Sequence, residues 1–453
     1  MSKLIKLKKG FDIKLVGKAE KKIAEAPQPE TFAVKPTDYP GFYMPKMLVK
    51  EGDVVKAGTP IFYDKKKEGI FYAAPVSGEV VEVKRGEKRK LLEVKILADK
   101  QISYEEFSKF NVSELTKLSR KEATEQLLNS GVWPNIIQRP YGIVADPNDT
   151  PKAIFISAFD SHPLAADLSF TLKGEEQNFQ AGLEVLSKFT DGKIHLNVNA
   201  DSEDAAVFSQ AKDVVINKIS GPHPAGNVGV QIHHIDPINK GDVAWTVSPF
   251  GVAQIGKLFL TGHYDASRVI AVAGSEVKNP QYYKTYTGAS IKKFVGNNLK
   301  SNHVRFVSGN VLTGEKVDSD GHLGFYHNLL TVIPEGDYYE MLGWALPSKR
   351  LSFQRALGLL SFLNPNKEYV MDTNTRGEKR AFVQTGVFEQ VTPMDILPTH
   401  LIKAVMAEDY DNMEALGIYE VVEEDLALCE FVDVSKHDIQ AILRHGIDLM
   451  LNS

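Results

Sequence analysis

The sequence predicts a multidomain protein of α/β and β architecture, and three observations predict it. Short β-rich runs fill residues 32–100, apolar strand-like runs alternate with helical patterns over residues 101–255, and helical periodicity dominates residues 395–453. The chain has 453 residues. Because a single hydrophobic core stops growing at roughly 250–300 residues, we expect several domains.

The composition is that of an ordinary globular protein, with 43% hydrophobic and 25% charged residues. A net charge of -5 gives no basic field that would capture phosphate backbones, so no nucleic acid partner is expected. The single cysteine, Cys429, excludes an internal disulfide, and the first residues lack the apolar core of a signal peptide. No apolar run reaches the roughly 20 residues that span a bilayer. We expect a cytoplasmic protein that reaches a membrane only through partners.

Residues 1–31 mix lysines with glycines and prolines, which predicts an extended arm with one short strand at most. Residues 32–100 predict a compact β sandwich. The tight turn at Gly52 and Gly58 has a counterpart at Pro75 and Gly78, and glycine and proline favour such turns.

This pattern resembles the lipoyl and biotinyl carrier domains, which are barrel-sandwich hybrids with the prosthetic group on a hairpin lysine. The pair Asp64-Lys65 matches the Asp-Lys of lipoyl domains. However, Ile61 precedes that pair too closely for the usual hairpin, and the three lysines from Lys65 onward are typical of a solvated turn. A carrier loaded on Lys65 and a structural or docking sandwich are both open interpretations.

Residues 101–255 predict an α/β domain with a connector helix. The connector extends from Tyr104 to Ser130 and stops at Gly131. The apolar runs AIFISAF, KIHLNVN, DVVINKI and VAWTV alternate with helical patterns, as in a parallel sheet with crossover helices. The loop at residues 221–226 follows a predicted strand, so we expect it at the carboxyl end of the sheet, where open α/β folds bind ligands.

Residues 256–340 predict a β-grasp domain. The runs KLFLTG, RVIAVAG, YKTYTG and HVRFVSG surround one helical segment, GASIKKFVGNNL. Residues 341–453 are mixed and then helical by pattern.

The sequence lacks the motifs of several enzyme classes, since GxGxxG, the P-loop and GxSxG are all absent. We interpret His223, His233 and His234 as ordinary histidines, because adjacent side chains on a strand point to opposite faces and no HExxH or CxxC accompanies them. The carboxylates Glu423 to Asp425 are interpreted as the solvated face of a charged helix. No catalytic residue and no metal ligand is predicted.

Ordered blocks of sequence carry a broader resemblance. They include KKGFDI, KEGDVVKAGTPIFYDKK, APVSGEVV, SGVWPNIIQRP, AIFISAFDSHPLAAD, SGPHPAGNVGVQIHHIDP, KNPQYYKTYTGAS, VIPEGDYYEMLGW and PMDILPTHLIKAV, and they extend over nearly the whole chain. The chain resembles the A subunit of the bacterial Na+-translocating NADH:quinone reductase. In layout it is similar to the C subunit of the electron-transport complex and to the complex I flavoprotein subunit. The resemblance implies a nucleotide-domain-like α/β unit, a β-grasp of the soluble-ligand-binding type and a helical C-terminal domain.

The same resemblance implies a peripheral location on the cytoplasmic face of the bacterial inner membrane, within a larger complex. The complex would oxidise NADH, reduce quinone and export sodium. FAD, FMN, riboflavin and iron–sulfur centres are implied in partner subunits, including membrane subunits, and no cofactor in this chain. Its own part would be quinone-site architecture and assembly, without catalysis by the isolated chain.

Two departures from these relatives support that expectation. Bulky residues at Trp133 and Pro134 stand where the flavoprotein relative has a glycine-rich flavin loop, and they would obstruct close approach of the backbone to a phosphate. Cys429 matches the third ligand of an iron–sulfur run, with Asp433 at the fourth position. One thiolate cannot hold a cluster that takes about four, so Cys429 is interpreted as the remnant of a lost cluster site.

The candidate small-ligand pocket, with quinone as its ligand, combines the loop at 221–226 with the turn after Gln138. Its residues are Arg139, Tyr141, Gly142, Gly221, His223, Pro224 and Gly226. The alternative functions are the carrier on Lys65 and a free-standing flavin- or nucleotide-binding protein.

Overall fold

The computed structural model describes residues 2–25, 28–202, 205–341, 350–353, 363–364, 366–383 and 386–453. Part of the mixed region predicted after residue 341, including the end of the block VIPEGDYYEMLGW, lies outside these residues. The predicted domain boundaries stay predictions.

The strands of the described residues are β1 (Leu4–Lys6), β2 (Glu20–Ala24), β3 (Thr31–Val34), β4 (Pro45–Met47), β5 (Val54–Val55), β6 (Pro60–Asp64), β7 (Lys67–Ala73), β8 (Gly78–Arg85), β9 (Leu91–Ala98), β10 (Ile136–Arg139), β11 (Ile143–Val144), β12 (Ala153–Ser157), β13 (Lys193–Asn199), β14 (Val215–Ser220), β15 (Ala244–Val247), β16 (Ser267–Ala273), β17 (Gln281–Tyr286), β18 (Val304–Ser308), β19 (Glu315–Val317) and β20 (Leu329–Pro334).

The α-helices of the same residues are α1 (Val112–Leu115), α2 (Arg120–Ser130), α3 (Leu168–Thr171), α4 (Glu176–Leu186), α5 (Ala206–Ser209), α6 (Val228–Ile235), α7 (Pro249–Thr261), α8 (Lys292–Val295), α9 (Phe388–Val391), α10 (Pro398–Met406), α11 (Tyr410–Ala415), α12 (Glu423–Val432) and α13 (Ile439–Asn452).

The largest sheet has seven strands in the order β1-β14-β13-β12-β15-β10-β11. The four predicted runs of the α/β domain form β12 to β15, and their pairings with one another are parallel, which confirms that prediction. Strands β10 and β11 add an antiparallel edge. Nearly every residue of β12 is buried, as expected for a strand covered on both faces.

The N-terminal residues form two strands, where the sequence predicts one at most. Strand β1 pairs in parallel with β14 at the edge of the seven-stranded sheet, and β2 pairs with β17 in another sheet. Between them, Leu7, Ile13 and Leu15 are buried against the C-terminal helices in one hydrophobic cluster. The lysine-rich sequence gives no indication of this burial, because its apolar residues are too widely spaced to form a helical or strand period. The arm is therefore an integral part of the fold.

Residues 32–100 form two facing sheets, β3-β9-β8-β5 and β4-β6-β7, consistent with the predicted barrel-sandwich hybrid. Its core includes Phe62, Tyr72 and Ile96, each at most 2% exposed. After it, the predicted connector helix is shorter than expected, since only α1 and α2 are helical. Gly131 ends α2 in the left-handed conformation (φ 74°), as its sequence position predicts.

A six-stranded sheet follows, in the order β19-β18-β20-β16-β17-β2. The runs RVIAVAG, YKTYTG and HVRFVSG form its strands β16, β17 and β18. The prediction of a strand at the fourth run, KLFLTG, is wrong, because this run is the end of α7. Ser248 caps that helix through Gly251 N–H, Pro249 occupies its first turn, and Gly262 ends it. The predicted helix GASIKKFVGNNL is reduced to α8, and the β-grasp interpretation stays a prediction.

The C-terminal part is helical, as predicted, with α9 to α13 packed in one cluster. Among the described residues no helix is long and apolar enough to cross a membrane.

Candidate functional site

The first turn of α12 lies between the two segments that the sequence pairs in one pocket. Arg139, at the end of β10, donates hydrogen bonds to the Asp425 and Glu424 carboxylates, at 3.0 and 2.8 Å. Asn227, directly after the loop at 221–226, donates from its amide to the Glu424 carbonyl at 2.8 Å. Helix α12 therefore contacts both Arg139 and the residue that follows the loop at 221–226.

The interpretation of Glu423 to Asp425 as a solvated face is wrong for Asp425, whereas Glu423 and Glu424 keep about one third of their side-chain surface exposed. The Asp425 side chain is fully buried, and its Oδ2 accepts from both Arg139 and the Val422 N–H. A buried carboxylate is stable only when a charge or several donors compensate its lost hydration, and Arg139 does this. Burial and the Asp425 charge raise the pKa of Glu424. A charge run on its own cannot distinguish this arrangement from a surface.

The loops after β12 and β14 lie at the carboxyl ends of parallel strands, one on each side of β13. The Gly226 N–H donates to Ser161 Oγ at 2.8 Å, and Ser161 Oγ lies 2.9 Å from His223 Nδ1. Burial, with a smaller contribution from the neighbouring His162, lowers the pKa of His223 to about 3, so the ring is neutral near pH 7. Ser161 Oγ accepts from Gly226 and keeps its hydroxyl proton for a further bond; where that proton is donated to His223 Nδ1, the ring proton of His223 lies on Nε2.

A second histidine lies beside the first, with the His162 and His223 ring centroids 4.6 Å apart. His162 Nδ1 lies 2.6 Å from Asp160 Oδ1. Burial alone would lower the pKa of His162, but the charge and hydrogen bond of Asp160 outweigh it and raise that pKa. One ring of the pair is therefore neutral, while the other favours the protonated state.

Four buried polar atoms of this region have no hydrogen-bond partner. They are His162 Nε2, His223 Nε2, Asn227 Oδ1 and Asp425 Oδ1. Buried polar atoms are nearly always paired, so each of these four atoms lacks a partner that a water or a ligand would supply. Two ring nitrogens offer donors and two oxygens offer acceptors. A ligand with carbonyl and hydroxyl oxygens satisfies both kinds.

The other predicted pocket residues shape the loops. A Cβ at Gly226 would lie 2.5 Å from Ser161 N, and one at Gly142 would lie 2.8 Å from Val422 Cγ1. Gly221 has φ 135° beside the Leu7 backbone. Tyr141, at φ 79°, accepts a hydrogen bond at its carbonyl from Arg444. Pro224 follows a cis peptide bond at the centre of the loop. These residues allow close packing of backbone at the site.

Sequence reasoning missed Asp160, Ser161, His162 and Asn227. The string AIFISAFDSHPLAAD contains the first three, and its place after the predicted strand β12 was the available signal. A cleft of about 640 Å³ lies elsewhere, between the segment at Asn239 and the turn at Tyr419, and no residue of the predicted pocket lines it.

Two predictions about histidines and metals can be compared with the structure. His233 and His234 lie on helix α6, not on a strand, and each has a separate partner: Glu420 for His233 and the Pro393 carbonyl for His234, both at 2.7 Å. In the described part of the chain, no three histidine, cysteine or acidic residues group as a metal site would require.

Cys429 and Asp433 have structural roles. Cys429 is 1% exposed against Thr392, and burial raises the pKa of its thiol to about 12. Asp433, at the position of the fourth cluster ligand, accepts from the N–H groups of Ser435 and His437 after the end of α12. Trp133 stands where the flavoprotein relative is expected to have a glycine-rich loop. Its ring is fully buried and packs edge-on against Trp245 in the interior.

Lys65, the carrier candidate, is exposed in the two-residue turn between β6 and β7. Contrary to the spacing argument, the strands do form a hairpin around it. Asp64 is 1% exposed and accepts the N–H groups of Tyr43, Met44 and Lys66, so the turn is firmly anchored.

A barrel-sandwich domain, an open α/β sheet with polar loops at its strand ends and a helical C-terminal part define a multidomain α/β protein with a buried polar site. Three family models match it: the NqrA N-terminal barrel-sandwich hybrid domain over residues 5–99, the NqrA second alpha/beta domain over 118–264 and the NQRA C-terminal domain over 269–319.

The whole chain is similar to proteins described as the A subunit of Na(+)-translocating NADH-quinone reductase. It is 39% identical over 447 residues to that of Serratia proteamaculans (strain 568), covering 97% of this chain and 98% of the relative. It is 38% identical over 451 residues to that of Neisseria meningitidis, covering 98% and 99%. The chain belongs to this NqrA family of the Na(+)-translocating NADH-quinone reductase, which confirms the resemblance seen in the sequence. Among solved structures, an NAD+-reducing NiFe hydrogenase matches with a TM-score of 0.34 at 10% identity over 52% of each chain, too low to add to this assignment.

Proposed function

We propose that this chain is a peripheral subunit of a Na+-translocating NADH:quinone reductase on the cytoplasmic face of the bacterial inner membrane. The chain carries no redox centre and binds the quinone head group at the buried polar site. Membership of the NqrA family supports its place in a reductase complex. FAD, FMN, riboflavin and iron–sulfur centres would then belong to partner subunits, including membrane subunits.

The observation that carries the quinone proposal is that four buried polar atoms, on His162, His223, Asn227 and Asp425, have no hydrogen-bond partner. A quinone presents carbonyl oxygens, which accept hydrogen bonds from the Nε2–H groups of the two rings. A quinol presents hydroxyl groups, which donate to Asn227 Oδ1 and Asp425 Oδ1. Each satisfied group stabilises the complex, because an unpaired buried polar atom costs about 1–3 kcal/mol. The Glu424 side chain, 35% exposed, is the part of this cluster nearest to solvent and marks the entry side.

Calorimetric titration of the full chain with a short-chain ubiquinone tests this proposal. At position 223, an asparagine amide reproduces Nδ1 and a glutamine amide reproduces Nε2. His223→Asn is therefore expected to weaken binding about fivefold, and His223→Gln to recover most of it, since a neutral hydrogen bond contributes about 1 kcal/mol. His195→Asn, in the middle of the sheet, serves as the remote control.

Absence of saturable binding by the unmodified chain would mean that the four atoms hold only water, and the quinone proposal would fail. Equal affinities of the Asn and Gln variants and the unmodified chain would also contradict it. The absence of a redox centre is tested separately by iron analysis and a visible spectrum of the purified chain, where stoichiometric iron or bound flavin would overturn it.

A further inference from the structure

An outer face of the barrel-sandwich domain combines exposed lysines with exposed apolar side chains. Strand β4 is an edge strand of the sheet β4-β6-β7. We define the lysine face as the outward residues of β4 and its flanks together with the turn between β6 and β7. Its members are Met44, Lys46, Leu48, Lys50, Lys65 and Lys66.

Exposure alternates along β4 (Pro45–Met47) and the residues that flank it. Met44, Lys46, Leu48 and Lys50 are all exposed, while the residues between them are half-buried. Met44 is 49% and Leu48 47% exposed. Isolated exposed apolar residues need no explanation, but a regular apolar–basic alternation beside a basic turn indicates a surface with a partner.

The buried Asp64 holds this face rigid. Its carboxylate accepts from the N–H groups of Tyr43 at 2.8 Å, Met44 at 3.1 Å and Lys66 at 3.0 Å, which ties the start of β4 to the β6–β7 turn. The Lys65 N–H also donates to the Met44 carbonyl at 3.0 Å. Lys66 Nζ lies 4.6 Å from the centroid of the Tyr43 ring, which is itself 44% exposed. A preorganised face loses little conformational entropy when it binds.

The charge of this segment opposes that of the whole chain. Residues 41–70 contain six lysines and four acidic residues, a net charge of +2, in a chain of net charge -5. The lysine face itself contains four lysines and no acidic residue, and the Asp64 carboxylate beneath it is buried. The lysine face is therefore complementary to an anionic surface.

We propose that the lysine face lies on an anionic lipid bilayer. Lysine is depleted at protein–protein interfaces, where arginine predominates, and the cations of this face are all lysines. Lysine stems extend along apolar surface while their ammonium groups reach lipid phosphates, and Met44 and Leu48 enter the interfacial layer. The anionic cytoplasmic leaflet attracts such a cluster electrostatically. The inference rests on the proposed membrane-peripheral location, but not on the quinone site.

Flotation of the full chain with vesicles tests the proposal. We expect binding to phosphatidylcholine vesicles that contain about one third phosphatidylglycerol, and none to phosphatidylcholine alone. The triple variant Lys46→Glu/Lys65→Glu/Lys66→Glu should lower the partition coefficient roughly 100-fold, at about 1 kcal/mol for each lysine. A milder triple replacement of the same lysines by Gln guards against misfolding of the first.

A control with the same change in net charge replaces three exposed lysines of the α/β unit, Lys117, Lys173 and Lys212, by Glu. It should retain lipid binding. Equal loss in both triple variants would show a nonspecific charge effect and overturn the proposal, as would no flotation of the unmodified chain. If the unmodified chain does not float, the lysines would serve only to prevent the edge strand β4 from pairing with a strand of another chain.

Two further outcomes separate this inference from neighbouring ones. If the lysine-face variant binds vesicles normally but no longer assembles with membrane subunits, the face contacts protein, and the lipid proposal is wrong. His223→Asn should leave flotation unchanged, so failure of the quinone proposal and failure of the lipid proposal are distinguishable. Met44→Ser/Leu48→Ser should reduce the part of the binding that persists at high salt, since only apolar insertion resists screening.

Discussion

Replacing Arg139 by Met should loosen helix α12 from the α/β sheet. Arg139 is 3% exposed and donates to Asp425 at 3.0 Å and Glu424 at 2.8 Å. Methionine fills similar space without charge or hydrogen bonds. The buried Asp425 carboxylate would then keep only the Val422 N–H as donor for Oδ2, while its Oδ1 already has none.

The size of the effect follows from burial. Removal of one partner of a buried ion pair typically costs about 3–5 kcal/mol, because a buried charge is left uncompensated. At about 1.4 kcal/mol for each tenfold, local opening of α12 should become at least 100-fold more frequent. The double variant Arg139→Met/Asp425→Asn should recover most of this loss, since it removes both charges together.

Hydrogen exchange with peptide-level mass spectrometry measures this opening. A global unfolding curve is unsuitable, because a multidomain chain does not unfold in two states. Peptides that cover Glu423–Val432 are the reporters. The matched control is Lys240→Met, which breaks an equally short 2.8 Å pair with Glu414 at a site where the lysine side chain is 69% exposed. Water screens an exposed pair, so hydrogen exchange in peptides around Glu414 should change far less than exchange of α12 in Arg139→Met.

Two results would refute this reasoning. Exchange of α12 in Arg139→Met within about threefold of the unmodified chain would show that the pair contributes no more than a surface pair. A double variant no better than the single one would show that the lost packing of the arginine stem, rather than the uncompensated charge, causes the loss.

Three further predictions concern a thiol, a carboxyl and a glycine. Cys429, with its pKa at about 12, should not react with Ellman's reagent at pH 8 until the fold opens; immediate stoichiometric reaction would contradict its burial. Burial raises the pKa of Asp38 to about 6 from 3.8, so the folded state binds the proton more tightly than the unfolded state. Stability should therefore fall as the pH rises from about 4 to 6. Asp38→Asn should flatten that part of the profile of melting temperature against pH, and an unchanged slope would exclude Asp38 as the source of the pH dependence. Gly226→Ala should increase hydrogen exchange in peptides that cover the loop at 221–226, because its Cβ would meet Ser161 N at 2.5 Å; Gly377→Ala, where the Cβ would meet only the Lys436 side chain at 3.6 Å, should change exchange clearly less, and equal changes would contradict the packing argument.

The sequence predicts the parallel strands well and the N-terminal arm poorly. Strands β12 and β15 are almost continuous apolar runs, because both faces of a central strand are buried. Strand β1 is an edge strand with Leu4 64% exposed, and it gains stability from pairing with β14 rather than from its own apolar pattern. The run KLFLTG misleads for a related reason. It is the end of a buried helix, and a short apolar run has no periodicity to distinguish helix from strand.

The candidate site can be predicted from the sequence only in part. The loop at His223 is expected because it follows a strand in an open α/β sheet. The partnership of Arg139 with Asp425 joins residues 286 positions apart, and no local pattern indicates which carboxylate of an acidic run turns inward. His162 escapes sequence reasoning because its importance comes from the ring beside it, a contact that exists only after folding.

The buried site depends on the C-terminal helices as much as on the sheet. Arg139 belongs to β10, whereas the two carboxylates that compensate its charge belong to α12. Without α12, no carboxylate would offset the free-energy cost of burying the Arg139 charge. The Asn227 amide would also lose its hydrogen bond to the Glu424 carbonyl. The N-terminal residues contribute as well, since Asp12 accepts the His223 N–H at 2.8 Å. Chain segments separated by hundreds of residues thus fix one loop, so an excised α/β unit should fail to bind a ligand that the full chain binds.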